Sequence, residues 1–246
     1  MTVTDLTCEV QSAKCEPVAG PIPTSHLPLP TSDFLIWQLA DSSFPTGGFM
    51  HSAGLEAARQ HGEVRNRAQL TAFLETSLRQ LERASLPLVT AAHNAPDRLP
   101  EWDRLTEAFL SNHVANRASR AQGKALFSAI TRIFPSVGET PRAPAPPFGH
   151  LAPAFGVVTR QLNISRGTAC RLFCFNHLRG VLAAAVRLNI VGPMEAQSLQ
   201  FRLAPRSEEV VRRSESLTLQ DLAQTAPLMD LWQGTHDRLY SRLFQS

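Results

Sequence analysis

Eight histidines and four cysteines are the side chains of this 246-residue sequence best suited to metal or nucleophilic chemistry. A protein metal site needs several such ligands on one ion, and sequences that build one usually show a pair of them at close spacing. His26, His51, His61, His93, His113, His150, His177 and His236 stand apart, none within four residues of another. They read as surface or hydrogen-bonded core histidines. Cys8 and Cys15 lie near the start of the chain. Cys170 and Cys174 fall one helical turn apart on one face, which is half of a metal site without a second pair; two buried apolar thiols is the favoured reading. Two stretches imitate catalytic motifs. Gly123-Lys124 looks like the end of a phosphate loop, but Ala118 stands where its first glycine belongs and no strand precedes it. Ser52-Ala53-Gly54 suggests a nucleophile elbow, but Met50 replaces the glycine two residues earlier. No His-Glu-x-x-His, Cys-x-x-Cys pair or catalytic carboxylate cluster occurs. The expectation is a chain with no catalytic residues, no metal ligands and no cofactor, and so not an enzyme.

What stands out instead is the loop from Asp41 to Phe49, where Phe44-Pro45-Thr46-Gly47-Gly48 puts two glycines beside a proline. Such a run permits backbone angles and close approaches denied to other residues. It is either a tight turn between helices or a rigid corner presenting Phe49, Met50 and His51 to another chain.

The elements that must position this corner are helices. Phe34 to Leu39 forms a short apolar helix that has to stop before Pro45. A second runs from Phe49 to Gly62, where glycine suits a left-handed end. Asn66 and Gln69 open a third with a variant capping box, and Leu70, Leu74, Leu78 and Leu81 give it one apolar stripe. Further helices are expected at 86–95, 101–114, 116–134, 152–161, 166–189, 193–203, 206–216 and 227–243, between Pro or polar punctuation. The helix 166–189 is apolar nearly all round and should be the central buried one. Strand-like alternation is nearly absent. The fold class is therefore all-α, a single-domain helical bundle of about ten helices over residues 31–246, counted from the 3.6-residue period. Residues 1–30 hold five prolines and no apolar period, and read as a disordered leader; 135–148 is a second Pro-rich loop.

Composition bounds the partners. Apolar residues make up 43% and charged residues 18%, as in globular proteins. A net charge of +3 without an aromatic-basic module speaks against nucleic acid. Arginine supplies nearly all the positive charge, since only Lys14 and Lys124 are lysines; this suits an interface, and equally a coding bias. No apolar run is long enough to span a membrane, and Met1 to Gly20 lacks a secretory core, so the cytoplasm is the expected compartment. Near the other end, Leu239, Tyr240, Leu243 and Phe244 gather large apolar groups that need a surface to bury against, either the protein's own core or a partner.

Several blocks resemble one family in order and spacing. Trp37 to Glu56, which contains the Phe44–Phe49 corner, looks like the N-terminal signature of the UreF urease accessory proteins. Arg117 to Gly123 is similar to their Arg-rich helix, Gly149-His150 to Gly156 to a loop-helix block, and Ala183 to Gln197 to a long helix and turn. Ala226 to Ser246 is similar to their terminal segment. Met50-His51 departs from the small-plus-aromatic pair of many bacterial members, and the leader and the 135–148 insert have no clear counterpart. The resemblance implies an all-helical, dimeric, non-enzymatic adaptor or chaperone in nickel metallocentre assembly. It would bridge a UreD/UreH-type scaffold and a UreG-type GTPase to activate apo-urease. By position it places Glu56 and Arg187 on the GTPase-facing side, and Tyr240, Arg242, Leu243 and Phe244 in the segment ordered against the scaffold. It puts a dimer contact at the loop carrying Pro45, Gly47, Gly48, Phe49 and His51. The alternatives are a direct nickel-binding chaperone using His51 or the Cys170/Cys174 pair, and an unrecognised enzyme on a helical scaffold.

Overall fold

The computed structural model describes residues 33–135 and 145–246; the expected leader, and most of the Pro-rich insert, lie outside them. Among the described residues there are ten α-helices and no strand. They are α1 (Asp33–Ala40), α2 (Leu55–Gln60), α3 (Arg67–Ala84), α4 (Leu86–Asn94), α5 (Leu99–Phe109), α6 (His113–Ile133), α7 (Leu151–Gln161), α8 (Arg166–Arg187), α9 (Pro193–Ser214) and α10 (Pro227–Gly234). The all-α expectation holds. None of these helices is long and apolar enough to cross a membrane.

Local side chains set the helix starts. Asn66 Oδ1 accepts the Gln69 amide at 3.1 Å, and Gln69 Oε1 reaches back to the Arg65 amide at 2.9 Å, one residue before the cap itself. Asn112 accepts the amides of Val114 and Ala115, which starts α6 three residues earlier than the apolar period suggests. Ser165 caps α8 by accepting the Thr168 amide.

The helix α8 is the spine, as its composition predicts. Its first half (Cys170, Leu172, Phe173, Cys174) is packed into a core with α1, α4, α6 and α7. Its second half (Leu178, Val181, Leu182, Ala184, Ala185) belongs to a core with α2, α3 and α9. Phe155 meets Phe173 edge to face at 5.2 Å. Both α8 thiols are buried, and burial raises Cys174 to about 11, so it stays protonated. At the crossing of α4 and α7 the backbones touch. A Cβ on Gly156 would lie 2.3 Å from the Val89 carbonyl oxygen and 2.9 Å from the His93 nitrogen.

Among the boundaries that differ from the sequence expectation, three bear on the loop and the last helices. The second helix does not begin at Phe49: a single 3₁₀ turn (Gly48–Met50) comes first, and Ala53 and Gly54, at φ +52° and +85°, hold the chain out of helix until Leu55. The segments expected at 193–203 and 206–216 are one helix, with Pro205 inside it. Pro205 is on the exposed face, where the Phe201 carbonyl that loses its amide partner can be hydrated. The last helix stops at Gly234, and the chain continues through a 3₁₀ turn (His236–Arg238) without further helix.

Candidate functional site

The glycine-proline loop leaves α1 at Ala40 and is braced at once by Asp41, whose Oδ1 accepts the Ser43 amide at 2.6 Å. Hydrogen bonds from Ser43 hold the Asp41 carboxyl below its usual range. Phe44 turns inward against the first core. Gly47 sits at φ +70° with open space around its Cα, so the backbone angle and not crowding calls for glycine there. Phe49 is left 62% exposed. Gly54 is tight for a different reason: a Cβ there would lie 3.0 Å from Gln233 Cβ on α10.

Residues 236–246 lie back along this loop. The Gln245 amide donates to the Met50 carbonyl at 2.8 Å, and the Ser52 amide to the Ser246 main-chain oxygen at 2.6 Å. His51 Nδ1 is 2.6 Å from Ser246 Oγ. Burial, with the Arg117 and His236 charges nearby, keeps His51 below its ordinary pKa.

Glu56, in the first turn of α2, is only 2% exposed, and its carboxylate closes the arrangement. It accepts the amides of Leu243 at 2.6 Å and Phe244 at 3.2 Å, and faces His236 Nε2 at 3.1 Å. Arg187, in the last turn of α8, donates to the Phe49 carbonyl at 2.6 Å and stands 4.3 Å over the Phe244 ring. Phe244 itself is buried. Asp237 ties the same segment to α6 through a two-pronged bond from Arg117 at 2.8 and 3.0 Å, with His113 at 3.3 Å and Arg242 at 3.5 Å. The Arg117 bond holds Asp237 below the usual carboxylate range.

The structure therefore gathers Phe49, His51, Glu56, Arg187, Leu243 and Phe244, drawn from three separate stretches of sequence, into one assembly. Glu56 is buried, so its carboxylate is not part of the exposed surface. Tyr240 is fully exposed and Leu243 half-exposed, and with Leu228 and Leu231 of α10 they give residues 227–243 an outward apolar side. Pro45 shapes the turn beneath Phe49 without a polar contact of its own.

Sequence reading did not single out His236 as anything but an isolated histidine, and missed Ser52, Asp237 and Ser246 as contacts. No spacing rule signals bonds that span 120 residues or more. A second polar centre was also unmarked. Asp103, fully buried, accepts the amides of Phe148, Gly149 and His150 at 2.6–3.2 Å. His150, also fully buried, lies between Glu107 Oε2 at 2.8 Å and Ser119 Oγ at 3.1 Å. Burial lowers its pKa against the pull of Glu107. Gly123 lies where a Cβ would strike the Gly149 carbonyl at 2.2 Å, so the Gly123-Lys124 stretch serves as a helix contact. Beneath the loop is a cavity of about 340 Å³ that His177 reaches, paired with Ser77 and pushed by burial down to about 4. Among the described residues no group of three or more His, Cys, Asp or Glu is placed to hold a metal ion.

Fold and site together define an all-helical protein whose distinctive loop and terminal segment are bonded into one surface. The sequence matches the UreF family over residues 64–204. It is 40% identical over 219 residues to urease accessory protein F of Arabidopsis thaliana, covering 85% of this chain and 91% of that protein. It is 37% identical over 216 residues to urease accessory protein F of Oryza sativa subsp. indica, covering 85% and 83%. Urease accessory protein UreF of Mycobacterium tuberculosis (strain ATCC 25618 / H37Rv) is 31% identical over 216 residues, covering 88% and 100%. The chain belongs to the UreF family.

Proposed function

We propose that this protein acts in urease maturation as a non-enzymatic cytoplasmic adaptor. It would join a UreD/UreH-type scaffold to a UreG-type GTPase, as a homodimer, and so support nickel delivery to apo-urease. Family membership supports the urease context. The observation that carries the adaptor reading is the joining of the Phe44–His51 loop to residues 236–246 through Glu56 and Arg187, which makes one surface of two chain segments. A surface of this kind is rigid before a partner arrives, which lowers the ordering cost of binding. Tyr240, Arg242 and Leu243 are exposed on that surface and would be the part that meets a scaffold, with Phe49 extending it across the loop. The direct nickel-binding alternative gains nothing here: His51 is engaged with Ser246, and Cys170 and Cys174 are buried.

The test is co-expression with the UreD-like and UreG-like partners, followed by purification on a tag carried by this chain. A stable complex containing both is expected. A folded, helical sample that retains neither partner overturns the proposal.

A further inference from the structure

The cavity beneath the loop, at about 340 Å³, has the size of a small-molecule site, and its walls are mostly apolar, with Leu39, Phe44, Leu126, Phe155, Phe173 and Met229 among them. One wall is α8, whose Phe173, Asn176, Gly180 and Ala183 recur at helical spacing along one face. Two polar atoms of that helix are shut off from solvent and have no hydrogen-bond partner among the described residues: Asn176 Oδ1 and Arg179 Nε. Both residues line the cavity, and three positions apart on a helix they are neighbours. The Asn176 amide cannot turn over to hide its oxygen, because Nδ2 already donates to the Leu39 carbonyl at 3.2 Å. One orphaned atom is therefore an acceptor and the other a donor. Gly180 adds an independent observation. It lies inside α8, where glycine weakens a helix relative to alanine, yet a Cβ there would meet no atom within 4 Å. Neither a positive φ nor a close neighbour calls for glycine at this position; the missing side chain leaves room in the cavity.

We propose that this cavity binds a small neutral molecule that carries a carboxamide on an apolar body. An amide puts its acceptor and its donor on separate atoms, as the pair on α8 requires. Its carbonyl oxygen accepts from Arg179 Nε, its N–H donates to Asn176 Oδ1, and the apolar body takes the space beside Gly180. A carboxylate matches less well. It accepts from Arg179 but sets an oxygen against Asn176 Oδ1, and it meets Asp41, whose carboxylate also lines the cavity and already answers the Arg179 charge. A hydrocarbon leaves both orphaned atoms unpaired, and polar groups left unpaired in a buried site weaken binding. The site goes beyond the adaptor reading and does not depend on it, because the cavity is formed within one chain.

The test is a ligand-detected NMR titration of the full chain with three probes of similar shape: benzamide, benzoate and toluene. Benzamide is expected to bind at one saturable site about tenfold more tightly than either of the others, the order of one net hydrogen bond. Asn176→Leu removes the acceptor and should bring benzamide down to the level of toluene. Gly180→Leu puts a side chain into the open space and should abolish binding of all three probes while circular dichroism keeps its helical signal. Equal affinity for benzamide and toluene would mark an apolar hole without amide recognition, and overturns the proposal. Benzamide binding that Gly180→Leu leaves unchanged overturns it too, as does the lack of saturable binding by any probe. If Asn176→Leu does not fold, the ranking of the three probes on the parent chain decides alone. Partner retention plays no part in these readouts, so failure here is distinct from failure of the adaptor reading.

Discussion

Glu56→Ala removes the one acceptor shared by residues 236, 243 and 244 while leaving every helix in place. Glu56 is 2% exposed, so solvent cannot replace the carboxylate unless the segment lifts. Two amides and an imidazole N–H lose their partner, and each unpaired buried donor costs about 1–3 kcal/mol. The three losses do not add, because once the segment peels away its donors are hydrated again. The expected total is about 3 kcal/mol, the upper end of the cost of one unpaired buried donor. For a chain of this size each kcal/mol moves the melting temperature by about 2–4 °C, so Glu56→Ala should melt about 6–12 °C lower. Differential scanning calorimetry reads that shift, and limited proteolysis reads whether cleavage moves to residues 236–246. Glu75→Ala, on an exposed position of α3, is the control and should melt within a degree or so of the parent, as surface changes do. If Glu56→Ala behaves like the control, the buried carboxylate does not hold the segment and the reasoning fails.

At the α4–α7 crossing, Gly156→Ala puts a methyl 2.3 Å from the Val89 carbonyl, so two backbones must part. The expected cost is about 1–3 kcal/mol, read by denaturant unfolding, and a neutral effect would refute the close packing. His93, His150 and His177 are all kept neutral chiefly by burial, His177 down to about 4 from an ordinary 6.5. The unfolded chain takes up protons near 6.5 and the folded one does not. Stability from these groups is therefore full above that pH and lost as pH falls from 6.5 toward 4. Thermal melts across pH 7 to 4.5 should show the fall, and His177→Gln should make it shallower. Deleting 239–246 removes no helical residue, so far-ultraviolet circular dichroism should persist while retention of the scaffold partner drops. Global unfolding of that truncation would show that the segment is needed by the core.

The long helices were legible because apolar burial and caps act within a few residues. The stripe Leu70, Leu74, Leu78 and Leu81 of α3 is buried as its period demands. The all-round apolar sequence of α8 is explained by its passage through two cores. Boundaries failed where a distant contact decided them. Ala53 adopts a left-handed angle next to a loop that pairs with Gln245 and Ser246, and nothing in an alanine announces that. Pro205 was read as a break, but a proline on an exposed face loses only a bond that water can replace. The stretch 227–243 was read as one helix, yet beyond Gly234 its path follows contacts far away in sequence: Glu56 with Leu243 and Phe244, Arg187 with the Phe244 ring, and Met50 with Gln245. In the site, Gly47 and Gly48 were legible as a corner. The positions Glu56 and Arg187 came from resemblance alone, and His236 and Asp237 could emerge only from the fold.

The distance along the chain between Met50 and Gln245 sets a clock on assembly. Glu56 is made 187 residues before the Leu243 amide it accepts. At ribosomal speeds of about 5–20 residues per second that gap is about 10–40 s. During it the Met50 carbonyl, the Ser52 amide and the Glu56 carboxylate have no partner from the far end. A nascent or prematurely stopped chain can complete α3, α4 and α7 and still lack the joined surface. Any protein that recognises both segments together thereby selects chains in which residues 236–246 have been made over those in which they have not.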